Sequence, residues 1–265
     1  MTALQTAPST EVNFRSHEPR TRTMGLARLT VIELRKLADT RSGLWLLIVI
    51  ALGAAATAAI LLGFASDAEL TFANLFTFGL LPSSVLLPVL GILSMTSEWS
   101  QRTALTTFTL VPVRGRVIAA KLAAGVLIAL VATAVTAAFA AAANLIGRGL
   151  GGDGSWHIEA AVLGQSLLME IIFVTMGLGF GALLLNSPLA IVLYFVIPTL
   201  WSILGETIKA LHTAAGWLDL NQTSMPLSES GMTGGEWGRL GVSVAAWIVL
   251  PLIFGTVRML RREVS

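Results

Sequence analysis

Six long apolar stretches constrain what this chain can fold into more than any other feature of its sequence. A helix needs about 20 apolar residues to cross the hydrocarbon core of a bilayer. Only 12% of the residues are charged, against about 25% in a typical soluble domain, so an ordinary water-soluble fold is excluded. The sequence predicts an all-α membrane protein with a six-helix transmembrane domain at residues 42–258. The predicted spans are residues 43–65, 72–95, 117–146, 158–185, 188–205 and 240–257.

The Lys and Arg residues predict the orientation of these spans. With the N-terminus inside the cell, 14 of the 17 Lys and Arg residues lie on the inner side. Only Arg148, Lys209 and Arg239 then lie outside. Cytoplasmic loops are enriched in these residues, so both termini are predicted to be cytoplasmic. Residues 1–23 are polar and contain no signal-type apolar core, which predicts a disordered cytoplasmic tail, and residues 259–265 form a second tail.

Residues 24–41 precede the first span and show a helical pattern. Their leucines and Ile32 fall on one broad side, whereas Arg28, Arg35 and Asp39 lie opposite. Glu33 and Lys36 interrupt this pattern. We expect an amphipathic helix along the inner membrane surface; a cytoplasmic extension of the first span remains the alternative.

Several kinds of chemistry are not predicted for this chain. It has no cysteine, which excludes disulfides and thiolate metal sites. The lysine of a phosphate-binding loop follows a glycine, but the three lysines here follow Arg, Ala and Ile. The three histidines lie far apart in the sequence. We therefore predict no ATP site of this type, no metal site and no catalytic residues, and a formal net charge of only +2 does not indicate a nucleic-acid partner.

Three features inside the spans predict local structure or function. Glu170 lies near the middle of the fourth span, where a charge is costly and often functional. It is either a polar or proton-binding contact on a substrate path or a carboxyl that hydrogen-bonds a neighbouring helix. Gly177 and Gly181 have a spacing that lets helices approach closely. Pro82 and Pro88 are expected to kink the second span.

A polar segment separates the second and third spans on the predicted cytoplasmic side. Its side chains Trp99, Leu105, Phe108 and Leu110 could be buried by a soluble partner, and such anchors tend to dominate binding. The alternative is a loop that only connects two spans and lies on lipid headgroups.

The order of residues in this segment resembles the loop of ABC-2-type permeases, the membrane subunits of type V ABC exporters. The matching residues are Glu98, Thr103, Pro112, Arg114 and Lys121. Arg102 stands where the family commonly has a glycine. The resemblance extends to the six spans, the helix before the first span and the long last external loop.

This resemblance implies a coupling helix at about 97–113 that contacts a cytoplasmic ABC ATPase subunit, present in two copies that bind ATP and Mg. A second, identical or similar permease and the lipid bilayer would be the other partners. The implied residues of the interfacial helix are Glu33, Arg35 and Lys36. The implied ATPase-coupling residues are Glu98, Trp99, Arg102, Thr103, Leu105, Phe108, Pro112 and Arg114.

The first, second and fifth spans line the substrate path in such permeases, which makes Phe76, Phe78, Phe195 and Trp201 candidates beside Glu170. The apolar spans favour a hydrophobic or amphipathic substrate such as a drug, an antibiotic or a lipid. The expected location is the plasma membrane of a bacterium. Two other functions remain open: a membrane scaffold or sensor that transports nothing, and a proton-coupled carrier that uses Glu170.

Overall fold

The structure, a computed structural model, describes residues 24–101 and 114–261. Every regular element in these two ranges is helical, which confirms the predicted all-helical class. The α-helices are α1 (Leu26–Asp39), α2 (Arg41–Phe64), α3 (Phe72–Gly79), α4 (Leu81–Ser100), α5 (Arg114–Gly149), α6 (Ala160–Leu184), α7 (Ser187–Thr207), α8 (His212–Leu218), α9 (Leu220–Ser224), α10 (Gly234–Val244) and α11 (Leu250–Arg261).

Six helical stretches of the described ranges are long and apolar enough to cross a membrane, as the sequence predicted. They are Arg41–Phe64, Phe72–Ser100, Arg114–Gly149, Ala160–Leu184, Ser187–Thr207 and Gly234–Arg261. Each overlaps one predicted span. Several of them are longer than predicted, because hydropathy detects the apolar centre of a helix and not its polar ends.

The last stretch begins at Gly234, where a capping box starts the helix. The Thr233 side chain accepts a hydrogen bond from the Glu236 N–H, and the Glu236 carboxylate accepts one from the Thr233 N–H.

Proline interrupts the second and sixth stretches. The second divides at Leu80 into α3 and α4, and Pro82 occupies the first turn of α4, where its missing N–H has no helical partner to lose. Pro88 lies within α4. In the sixth stretch a π-helical segment, Ala245–Val249, precedes Pro251. The wider turn of a π-helix accommodates Pro251, because proline lacks an N–H and its ring crowds the preceding turn.

The core of the bundle is the contact between α4 and α6. In the stretches that contain α4 and α6, 56% of the most apolar part is buried inside the protein. In α2 and α7 the buried share is 17%. Small residues bring the two backbones together, since a Cβ on Gly177 would lie 2.2 Å from the Pro88 carbonyl oxygen and one on Gly91 would lie 2.6 Å from that of Val174. The predicted role of Gly177 in close helix packing is therefore confirmed.

Backbone hydrogen bonds join the predicted external loops at one end of the bundle. The Phe72 N–H donates to Ser155 O, and the Asp153 N–H donates to Asp67 O. Between α7 and α10 the chain forms α8 and α9, and Leu220 and Leu227 are buried there in the cluster that includes Tyr194. The part of this long external loop after Leu220 is partly helical and packs on the bundle.

Candidate functional site

Of the two residues that interrupt the amphipathic pattern of α1, Glu33 is buried and Lys36 is partly exposed. Glu33 and Lys36 lie one turn apart, and Lys36 Nζ donates to Glu33 Oε1 over 2.7 Å. The Glu33 side chain is only 6% exposed. The charged residues that keep the pattern, Arg28 and Arg35, are exposed. The interruption in the pattern thus marks two residues that join α1 to the bundle by charged contacts.

Glu98 near the end of α4 and Lys121 in α5 complete a group of four charges, here called the ion cluster: Glu33, Lys36, Glu98 and Lys121. Lys36 is its one partly exposed member. Lys121 Nζ lies 2.6 Å from Glu33 Oε2 and 2.8 Å from Glu98 Oε1. It also donates to the Ser94 carbonyl over 2.7 Å. An ammonium group has three protons to donate, so all three are used.

Lys36 closes the ion cluster on its more exposed side. Its Nζ lies 3.2 Å from Glu98 Oε1, so this carboxylate oxygen accepts from both lysines. Burial lowers the pKa of Lys36, but the hydrogen bonds and charges of Glu33 and Glu98 outweigh it, and the net effect raises the pKa above its ordinary value. Lys36 therefore stays charged at neutral pH.

The ion cluster has two positive and two negative charges, so its net charge is zero. This balance matters because an unpaired buried charge costs several kcal/mol. Lys121 is 1% exposed, and its charge is tolerated only with both carboxylates in place. The ion cluster therefore fixes α1 to the end of α4 and to the second turn of α5.

Two arginines tie further helix ends together near the ion cluster. Arg114, the first residue of α5, donates to the carbonyl oxygen of Met259 in α11 over 2.8 Å. Arg258 donates to the carbonyl oxygen of Leu183 near the end of α6. Helix C-termini expose unpaired carbonyls with partial negative charge, which guanidinium groups satisfy. The ends of α4, α6 and α11 and the start of α5 thus meet at one end of the bundle.

A cleft of about 500 Å³, most of whose lining residues are polar, lies beside the ion cluster. The end of α1 lines it on one side and the end of α4 on the other, together with Ser187. Ser187 Oγ lies 2.6 Å from Thr96 Oγ1, which joins the start of α7 to α4. The cleft lies next to residue 101, where the described chain stops before residues 102–113.

The predicted coupling residues fall into two groups. Arg102, Thr103, Leu105, Phe108 and Pro112 lie outside the described residues, as does most of the proposed coupling helix. Of the others, Glu98 belongs to the ion cluster, and Trp99 is partly buried against the apolar group that includes Met95 and Met259. Arg114 contacts α11, as described above. The described coupling residues thus make contacts within this chain.

The five candidates for a substrate path do not share one environment. Phe76 is fully buried among α2, α3 and α5, whereas Phe78 is 48% and Phe195 39% exposed. The ring of Phe195 packs edge-on against Tyr194, with 4.9 Å between centroids. Trp201 is partly buried in α7. Phe76 therefore contacts no open path in this conformation, whereas Phe78 and Phe195 lie at the surface of the chain.

Glu170 is fully buried and lies against the second span. Its Oε1 is 2.8 Å from Ser83 Oγ, and Ser83 is in the first turn of α4. Its Oε2 has no hydrogen-bond partner among the described residues. This geometry is that of a carboxyl group that hydrogen-bonds a neighbouring helix, the second of the two roles that the sequence left open.

Lys121 is the member of the ion cluster that was not singled out as a site residue. It matched the family pattern, but no partner could be assigned to it. The sequence signal for Lys121 was its position inside an apolar stretch, where an ionisable side chain is rare and needs a partner.

In the described ranges no group of three or more His, Asp or Glu residues could hold a metal ion.

A scan against models of protein families finds no match to this chain, and a search of curated proteins finds no similar sequence. The class of protein therefore follows from its helices. It is an all-helical protein with six candidate membrane-spanning helices, an architecture that is compatible with a multi-pass membrane protein.

Proposed function

We propose that this chain is the membrane-spanning permease subunit of an ATP-driven ABC exporter in the plasma membrane of a bacterium. A separate cytoplasmic ATPase subunit, in two copies, binds ATP and Mg and contacts the segment between the second and third spans. Two permease subunits assemble with these ATPases. The complex moves a hydrophobic or amphipathic substrate outward, such as a drug, an antibiotic or a lipid.

The observation that carries this proposal is how both ends of residues 102–113 are held. On one side Glu98 is bound by Lys121 and Lys36. On the other side Arg114 is bound to the last turn of α11. A force that an ATPase applies to this segment therefore acts on α1, α4, α5 and α11 together.

Charged contacts suit this role better than apolar packing alone. Apolar contacts are non-directional and allow helices to slide, whereas charged hydrogen bonds depend on distance and angle. A displacement of α4 by a few ångströms at Glu98 must therefore move Lys121 in α5 and Lys36 in α1, or break the ion cluster. This stiffness would transmit a movement from the segment into the spans.

Replacing Glu98 with glutamine tests the proposal. We expect Glu98→Gln to keep the complex with the ATPase but to reduce ATP-driven extrusion of a fluorescent amphipathic dye from vesicles by about tenfold or more. The reason is that hydrogen bonds to charged groups contribute about 1.5–3 kcal/mol, and about 1.4 kcal/mol corresponds to tenfold. Extrusion is measured with purified permease and ATPase in vesicles.

Glu229→Gln is the matched control, because Glu229 is exposed in the loop before α10 and undergoes the same chemical change. We expect its extrusion rate to equal that of the wild type. If Glu98→Gln also extrudes dye at the wild-type rate, the ion cluster has no part in coupling and this assignment is wrong.

A further inference from the structure

The Ser83 hydroxyl makes two contacts of hydrogen-bond length, but its single proton can be donated in only one of them. Its Oγ lies 2.8 Å from the Leu80 carbonyl oxygen and 2.8 Å from Glu170 Oε1. A serine hydroxyl has one proton to donate and two lone pairs that accept. The Leu80 carbonyl oxygen can only accept. If Ser83 donates to Leu80, the proton in its contact with Glu170 must come from Glu170.

The surroundings of Glu170 also favour the neutral acid. Its side chain is 0% exposed, and no ion pair in residues 24–101 or 114–261 involves it. Its Oε2 has no hydrogen-bond partner in these ranges. A carboxylate in this position would be a buried, unpaired charge that accepts at most one hydrogen bond, whereas the neutral acid needs one acceptor, and Ser83 Oγ provides it.

We propose that Glu170 is protonated at neutral pH and donates a hydrogen bond to Ser83, which in turn donates to the Leu80 carbonyl oxygen. This chain of two hydrogen bonds joins α6 to the break between α3 and α4. Leu80 is the residue at which the second stretch divides. Glu170 is thus a positioning residue that fixes the break against the fourth span, whether or not the protein is an exporter subunit.

The position of the break gives this contact a structural consequence. Pro82, two residues after Leu80, cannot donate a backbone hydrogen bond, so the junction has fewer backbone bonds than a continuous helix. The Leu80 carbonyl also accepts from the Ser84 N–H over 2.9 Å. The side-chain bonds from Ser83 and Glu170 therefore add a lateral attachment at the break in the second stretch.

Infrared difference spectroscopy of the wild-type protein against Glu170→Gln measures the protonation state directly. We expect a protonated-carboxyl C=O band at pH 7 that is absent from the variant. In Ser83→Ala the band should shift to higher wavenumber, because the acid loses its acceptor. Glu159→Gln, an exposed change at the N-terminal end of the same helix, should leave the band in place. A carboxylate band for Glu170 at pH 7 would overturn the proposal.

Thermal unfolding in detergent gives an independent test. The amide of Glu170→Gln can donate to Ser83 as the acid does, so its melting temperature should equal that of the wild type. Glu170→Leu keeps the volume but removes the donor, and we expect it to lower the melting temperature by about 4 °C or more. Equal losses for both variants would contradict the donor role. A proton-coupled carrier that uses Glu170 would lose transport in Glu170→Gln, whereas a positioning residue retains it.

Discussion

Lys121→Met should be among the most destabilising single substitutions in this protein, with a loss of about 3–5 kcal/mol. That is the usual cost of removing one partner from a buried ion pair. Methionine fills a similar volume, but it leaves Glu33 and Glu98 with Lys36 as the only cation of the ion cluster. Since 1 kcal/mol corresponds to roughly 2–4 °C in a protein of about this size, thermal unfolding in detergent should show a melting temperature lower by about 10 °C.

A control and a rescue make this test specific. Lys209→Met makes the same change at an exposed lysine and should leave the melting temperature unchanged. Adding Glu33→Gln to Lys121→Met restores a neutral group, with Glu98 and Lys36 still paired, so part of the loss should be recovered. If Lys121→Met melts within about 2 °C of the wild type, the lower end of the shift for 1 kcal/mol, the ion cluster does not stabilise the junction of α1, α4 and α5.

Gly177→Ala should be the second severe change, although it adds a single methyl group. That methyl carbon would lie 2.2 Å from the Pro88 carbonyl oxygen and 2.8 Å from the Pro88 Cα. Both atoms are backbone, so no side-chain rotation relieves the overlap and α4 must move away from α6. Overpacking of this kind costs about 1–3 kcal/mol and occasionally more, and thermal unfolding should place the loss at or above the upper end of this range.

Gly164→Ala provides the comparison within the same helix. Nothing lies within 4 Å of a Cβ at Gly164, and alanine favours helix by up to about 1 kcal/mol relative to glycine. This variant should therefore be as stable as the wild type or more stable. Similar losses in both variants would show that the loss does not depend on the contact with Pro88, and would contradict a specific close contact at Gly177.

The apolar stretches were sufficient to predict the helical class and the number of candidate spans. The physical reason is that span length is determined by bilayer thickness, a property that does not depend on the rest of the fold. Pro82 and Pro88 predicted an irregular second span, and the break at Leu80 agrees with this expectation. The π-helical segment before Pro251 was not predicted, because how a helix accommodates proline depends on its neighbours.

The pairing of charges illustrates what a single sequence does not contain. Glu33 and Lys36 stood out as exceptions to the pattern of α1, and Lys121 lies within an apolar stretch. Their partners are distant: 62 residues separate Lys36 from Glu98, and 88 separate Glu33 from Lys121. Residue periodicity reports which face of a helix is buried, but not which helix covers it. The contacts of Glu98 therefore required the three-dimensional structure.

Arg114 shows the same limit from another direction. The family resemblance implied contact with an ATPase, whereas the structure places its guanidinium group on the carbonyl oxygen of Met259, 145 residues away. An arginine at the start of a helix has no local signal for this contact, because the acceptor is the backbone of another helix. The fold thus gave Arg114 a partner within the chain.

The most direct test of the proposed function is photo-crosslinking in the cells that make this protein. A photoreactive amino acid at Gln101, exposed at the end of α4, should crosslink to a protein that contains a phosphate-binding loop, and the purified complex should hydrolyse ATP. The same amino acid at Asp153, exposed in the loop joined to residues 67–72 at the opposite end, should give no such product. If the chain purifies without any such ATPase and Gln101 crosslinks only to lipid or to a second copy, the protein is not an ABC exporter subunit.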